Sequence, residues 1–201
     1  MKGIENAAEQ VDAVFVYILG FSLILLLLIT ALMVYFAFRY RRSRNPKPSD
    51  IRGDWRLETV WTVVPTLIAL SMFYLGWTSY LGLRNVPENA LQIQAIGQQY
   101  SWIFIYPNQK TVEGELVVPQ GEPIKLNISS QDLLHSLYIP AFRIKVDAVP
   151  GMDTHAWFFA DKPGKYTVLC AEYCGTGHAD MTAVLRIVPD AEYRTWLEEE
   201  E

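Results

Sequence analysis

Residues 165–188 read KYTVLCAEYCGTGHADMTAVLRIV. Two short runs, 165–170 and 182–188, enclose a polar, glycine-bearing segment that holds Cys170, Cys174, His178 and Met181. Runs of this length with alternating apolar positions are strands, so the segment between them is a loop held by a rigid scaffold. Gly175 and Gly177 let the backbone fold tightly around whatever those side chains hold.

The same period of two extends back to residue 90. Leu91, Ile93 and Ala95 alternate with Gln92 and Gln94, and Ile124, Leu126 and Ile128 alternate with Lys125 and Asn127. Phe142, Ile144 and Val146 alternate with Arg143 and Lys145, and further runs lie at 114–118 and 154–160. Pro107-Asn108, Pro119-Gln120-Gly121, Pro150-Gly151 and Pro163-Gly164 separate them. Short strands between Pro/Gly turns predict a β-sandwich or barrel over 86–190, large enough for its own core. An acidic tail, 191–201, follows, and Asp190 to Glu201 is expected to form a short amphipathic helix.

Ahead of residue 86 the pattern changes. The chain is 51% hydrophobic, and the excess lies in two uncharged stretches, 13–38 and 60–83. A span of about 20 apolar residues crosses a bilayer core of about 30 Å, so residues 1–85 are expected to form a transmembrane hairpin with a basic loop at 39–59. The first stretch is too long for a signal-peptide core, lacks a small-residue cleavage site, and is followed at once by Arg39. Pro65 is expected near the start of the second span, where its missing N–H costs little. Arg39, Arg41, Arg42, Arg44, Lys47, Arg52 and Arg56 stand in or beside the loop against Asp50 and Asp54. Basic short loops remain cytoplasmic, which directs both termini and the sandwich outward, to the periplasmic side of a bacterial inner membrane. The outer segment is acidic, with 9 Lys+Arg against 16 Asp+Glu from residue 84 onward. That balance favours a basic partner and excludes nucleic acid as the expected one.

The whole chain has two cysteines and three histidines, and both cysteines and one histidine fall within nine residues. His135, in Leu-Leu-His-Ser-Leu, is the distant candidate; His155 lies outside the spacing and reads as an ordinary strand histidine. Soft thiolate and thioether donors with imidazole suit copper. Two thiolates are one too many for a single blue-copper centre; they can instead bridge two coppers, each taking one histidine, with Met181 as a weak further ligand. Such a pair serves electron transfer. A Cys170–Cys174 disulfide, a Cys2His2 zinc site and a single copper are the alternatives. The loop is a weak disulfide site because so short a ring removes little chain entropy.

Taken in order, these residues resemble subunit II of the haem–copper cytochrome c oxidases. The resemblance rests on Glu58-Thr-Val-Trp61-Thr-Val-Val-Pro65, Tyr100-Ser-Trp102, Leu134-His135-Ser136, Lys145-Val-Asp147-Ala-Val-Pro150-Gly151 and the Cys170 to Met181 loop, and it covers almost the whole chain. It implies a membrane-anchored all-β protein, with a cupredoxin-like Greek-key sandwich after the hairpin. It implies a dinuclear CuA centre bridged by Cys170 and Cys174, with His135 on one copper and His178 on the other. Met181 would ligate one copper and the backbone carbonyl of Glu172 the other. The carboxylate of Glu172 would reach a magnesium ion at the boundary with subunit I. Glu58 would stand near the mouth of a proton pathway, and Tyr100 and Trp102 would be where electrons arrive. Many members carry tryptophan at the position of Tyr100. The implied partners are a haem-bearing subunit I, other oxidase subunits, and cytochrome c or another one-electron cytochrome. Quinol-oxidising relatives lack the copper ligands, and without Cys-x-x-Cys-His no fused haem c domain is expected. A membrane-anchored copper carrier or assembly protein is the competing function, and a disulfide-bearing receptor domain a third.

Overall fold

In a computed structural model, residues 7–47, 50 and 52–199 are described; residues 1–6 and 48, 49 and 51 of the predicted hairpin, and Glu200 and Glu201 of the tail, lie outside the described residues. The chain divides into a helical unit and a unit built on the sandwich.

The helical unit contains most of α1, Ala7–Arg39, and of α2, Trp55–Arg84. At 33 and 30 residues both exceed what a bilayer core requires, and both are apolar enough to cross one. Tyr17 Oη and Ser71 Oγ share a hydrogen bond of 2.7 Å between the two helices. Helix α2 starts ahead of the apolar run because Asp54 caps it, its carboxylate accepting from the Arg56 N–H at 2.8 Å and the Leu57 N–H at 3.4 Å. The early start corrects the expectation for Pro65. It lies in the helix interior, where its ring removes the amide that the Trp61 carbonyl would otherwise accept.

The sandwich has ten strands. The first sheet has the order β3-β2-β1-β5-β8, from Thr111–Glu113, Ser101–Ile105, Leu91–Gln98, Pro123–Ser130 and Thr154–Phe159. The second has the order β4-β10-β9-β6-β7, from Glu115–Pro119, Thr182–Val188, Gly164–Cys170, His135–Ile139 and Ile144–Ala148. Strands β1 and β5 pair in parallel, as do β4 and β10; the other pairings are antiparallel. Ile93, Ala95, Trp102, Phe104, Leu126 and Ile128 from one sheet meet Leu116, Val118, Leu137, Ile139, Val168 and Leu185 from the other, all fully buried. Alternate residues facing inward produce this core, as the period of two predicts.

Two runs were divided differently from the sequence reading. The run at 114–118 begins with a corner: Gly114, at φ +76°, donates to the Trp102 carbonyl of the first sheet while its own carbonyl accepts from Val184 N–H of the second, both at 2.9 Å. The positive φ suits glycine, and the chain there crosses from one sheet to the other. Phe142 belongs to a 3-10 turn, Pro140–Phe142, and Arg143 takes φ +55°, so the strand starts only at Ile144. Strand β2 has no counterpart among the runs read from the sequence. Its Ile103 and Ile105 are half-buried on the outer face, which hides the alternation.

Beyond β10, helix α3, Asp190–Glu198, packs through Tyr193 and Trp196, the latter 5.0 Å from the Tyr106 ring. Lys110 Nζ donates to the carbonyls of Trp196 (2.7 Å) and Glu199 (2.8 Å), placing a cation at the negative end of the helix. Tyr106 joins the sheets at this end. Its hydroxyl accepts from Val117 N–H at 2.7 Å and donates to the Val117 carbonyl at 3.0 Å.

Candidate metal centre

Strand β9 ends at Cys170, and the chain returns as β10 at Thr182. The loop is closed by Leu169–Thr182 pairing and by Cys170 N–H donating to the Met181 carbonyl at 3.1 Å. Within it, His178 N–H donates to the Gly175 carbonyl (3.2 Å) and Asp180 N–H to the Gly177 carbonyl (3.0 Å), winding 178–180 into a 3-10 turn. His135 comes from β6. Pairing of Leu137 with Cys170, and Ala171 N–H donating to the Ser136 carbonyl at 2.8 Å, bring its ring to the same end of the core.

The sequence-predicted ligands therefore converge. Cys170 Sγ and Cys174 Sγ are 3.9 Å apart, and both thiols are free. His135 Nδ1 lies 3.9 Å from Cys170 Sγ, whereas His178 Nδ1 lies 3.6 Å from Cys174 Sγ. Met181 Sδ is 3.8 Å from Cys174 Sγ, and the Glu172 carbonyl oxygen is 3.3 Å from Cys170 Sγ. His135, Met181 and both cysteines are buried; His178 and Glu172 are half-buried.

This donor set fits a thiophilic metal. The donor atoms of His135, Cys170 and Cys174 all lie within 4.8 Å of one another. The sulfurs are far outside the roughly 2.05 Å of a disulfide, yet two metal–thiolate bonds of about 2.3 Å span their separation, so one ion can touch both. Burial, reinforced by the neighbouring Cys170 sulfur, pushes the Cys174 thiol up to about 11. A cation that replaces the thiol proton removes that burial penalty.

Three contributors were not read from the sequence. Asp132 Oδ1 lies 2.8 Å from His135 Nε2, so the proton sits on Nε2 and the Nδ1 lone pair faces the sulfurs. Partial burial draws the Asp132 carboxyl upward, but hydrogen bonds from His135, Gln99 N–H and Leu133 N–H outweigh it and hold the group near 2. Gln99 donates its backbone N–H to Asp132 Oδ2 (2.8 Å) and its side-chain Nε2 to the Cys174 carbonyl (2.8 Å). Gly97 leaves room for the imidazole, since a Cβ there would stand 3.0 Å from His135 Cδ2 and 3.2 Å from Trp102. An aspartate three residues before the histidine was the available signal for the first; Gln99 depends on turn geometry and Gly97 on the space it leaves.

The remaining candidates fall in different places. Trp102 is fully buried and edge-on to His135, with centroids 6.1 Å apart. Tyr100 is half-buried over the loop; a Cβ at Gly177 would stand 2.4 Å from its ring. Tyr173, passed over in the sequence, is 74% exposed and edge-on to His178 at 5.8 Å. Glu58 is exposed in the first turn of α2, in the helical unit. His155 lies in β8 opposite Asn127, apart from the cluster.

Residues 4–77 match the family profile described as cytochrome c oxidase subunit II, transmembrane domain, and residues 109–188 match that of its periplasmic domain. Cytochrome c oxidase subunit 2 of Synechocystis sp. is 29% identical over 239 residues, covering 94% of this chain and 72% of the relative. The subunit 2 of Alkalihalophilus pseudofirmus is 33% identical over 192 residues, covering 90% of this chain and 56% of the relative. Among solved structures, the periplasmic domain of subunit II of cytochrome oxidase from Bradyrhizobium japonicum superposes with a TM-score of 0.55 at 33% identity. That match covers 57% of this chain and 95% of the solved one. With its apolar hairpin, its cupredoxin-like sandwich and these matches in sequence order, the chain belongs to the cytochrome c oxidase subunit II family.

Proposed function

We propose that this chain is the electron-accepting subunit of a proton-pumping cytochrome c oxidase. Its outer domain, 86–190, takes single electrons from cytochrome c or another one-electron cytochrome on the periplasmic side. It passes them to haem in subunit I, where oxygen is reduced to water. The observation that carries this reading is the pair of free sulfurs 3.9 Å apart with a different imidazole beside each. A single tetrahedral ion would draw both imidazoles to one point; this arrangement suits a thiolate-bridged copper pair, CuA.

Cys170 and Cys174 would bridge the pair, His135 Nδ1 and His178 Nδ1 would each serve one copper, and Met181 and the Glu172 carbonyl would complete the set. Bound there, copper supplies a one-electron relay with the charge shared between two ions. The protein keeps water from the buried sulfurs, and His135 donates its Nε2–H to the Asp132 carboxylate. Trp102, being buried, backs His135 from within, which leaves Tyr100 as the half-exposed ring for a donor to meet. The acidic outer segment hastens the encounter with a basic donor. The Glu172 carboxylate would hold magnesium against subunit I, and Glu58 would stand at the mouth of a proton pathway.

The purified full chain, loaded with copper, tests this. Two coppers per chain, a purple colour and a seven-line mixed-valence EPR pattern are expected. One copper with a four-line spectrum would favour a copper carrier, and a Cys174→Ser variant that still shared two coppers would remove the bridging assignment.

A further inference from the structure

The two halves of the metal site reach it from distant parts of the chain. His135 sits at the start of β6, Cys170 ends β9, and Cys174 lies on the β9–β10 loop. Beyond the β6–β9 pairing, one short turn between β1 and β2 touches both. Gln99 N–H bonds Asp132 Oδ2, whose other oxygen bonds His135 Nε2, all at 2.8 Å. The side-chain amide of the same Gln99 donates to the Cys174 carbonyl at 2.8 Å. Next in sequence, Tyr100 lies on Gly175 and Gly177 so closely that a Cβ at either would stand 2.6 Å or 2.4 Å from it. At the other end of the turn, Gly97 gives its carbonyl to Gln131 N–H (3.1 Å), anchoring the segment that carries Asp132.

We propose that the Gln99-Tyr100 turn is a bracket that sets the spacing between the His135 side and the Cys174 side of the site before metal arrives, with Gln99 as the positioning residue. Main-chain pairing alone fixes His135 against Cys170, because Leu137 and Cys170 are partners in the ladder. Cys174 and His178 lie outside any strand, in a loop with two glycines, and need another hold. Gln99 supplies it from the first sheet through a bond that no β-ladder provides. A preformed ligand set binds more tightly because less ordering is left to the binding step. The copper consequence rests on the reading in the preceding section; the mechanical one does not.

Gln99→Met keeps the length of the side chain and the backbone N–H and removes the amide's bond to the Cys174 carbonyl, together with its longer 3.4 Å bond to Tyr100 Oη. The full chain in detergent is to be compared with this variant, with Gln99→Ala, and with Tyr100→Phe as a control that keeps the ring on the glycines. In the metal-free protein, alkylation of the buried Cys174 by iodoacetamide, followed by mass spectrometry, reads loop opening. It should be several-fold faster in both Gln99 variants and near wild type in Tyr100→Phe. In the copper-loaded protein, competition with a chelator should show roughly tenfold weaker binding at unchanged stoichiometry, with displaced visible bands. Alkylation and copper affinity both within twofold of wild type in Gln99→Met and Gln99→Ala, with native circular dichroism, would overturn the bracket. Faster alkylation in the variants of a wild type that takes up no copper pair would support the bracket and overturn the relay reading alone.

Discussion

Replacing Asp132 by alanine isolates the hold on His135. The imidazole is fully buried, and its Nε2–H has Asp132 Oδ1 at 2.8 Å as partner. Without the carboxylate, a buried donor loses a charge-assisted bond of about 1.5–3 kcal/mol. Nothing then keeps the ring proton off Nδ1, the nitrogen that faces the sulfurs. At about 1.36 kcal/mol per decade, the loss corresponds to roughly 10–100-fold weaker copper binding, the range found when such outer partners of metal-ligating histidines are removed. Asp132→Asn, which can keep the acceptor oxygen for His135 and Leu133 N–H but then puts an NH2 where Gln99 N–H now donates, should fall between alanine and wild type. Chelator competition on the full chain in detergent measures the affinities, and thermal melting of the metal-free variants separates a binding defect from a folding defect. The pH dependence has a definite sign. The carboxyl is held near 2 in the fold against about 3.9 in an unfolded chain, so its contribution is complete above about pH 4 and is lost as pH falls toward 2. The contribution should therefore be flat from pH 5 to 8. Copper affinity of Asp132→Ala within twofold of wild type, at equal melting temperature, would refute the orienting role.

Tyr106→Phe removes the hydroxyl that satisfies both Val117 N–H and Val117 C=O; stranding two buried backbone groups should cost about 2–4 kcal/mol, read as a melting temperature lower by roughly 10 °C or more. Copper stoichiometry should not change, and a melting temperature within about 2 °C of wild type would remove the bridging role of that hydroxyl. Because the Cys174 thiol is pushed up to about 11, it is protonated at neutral pH, so copper uptake should release at least one proton per chain and strengthen as pH rises from 6 to 8. Pulsed copper addition in weakly buffered solution with a pH electrode measures this, and uptake without proton release would contradict it.

The candidate ligands were legible in the sequence because five of the six lie within twelve residues, where spacing alone reports proximity. His135 was legible from residue type, since only three histidines were available. The groups that aim the ligands were not. Gln99 and Asp132 act through the conformation of short turns, and Gly97 through space rather than chemistry. The same limit explains the fold. Strands with one outer polar face, such as Leu91–Gln98, announced themselves, whereas Ser101–Ile105, apolar on both faces, did not. Pro65 was misplaced because the helix start depends on the Asp54 cap, six residues ahead of the apolar run.

The pairing of Leu137 with Cys170 couples metal chemistry to strand alignment. A slip of one residue between these strands would turn the His135 ring to the opposite face of the sheet and leave Cys170 facing Ser136 or Tyr138. The cysteine loop by itself offers two sulfurs, a thioether and one imidazole, and lacks the nitrogen that completes the second half. On the copper-pair reading proposed above, a full complement of metal would be attainable only by chains whose β6 and β9 have locked in the native alignment. Loading would then serve as a gauge of correct folding as well as a step toward activity.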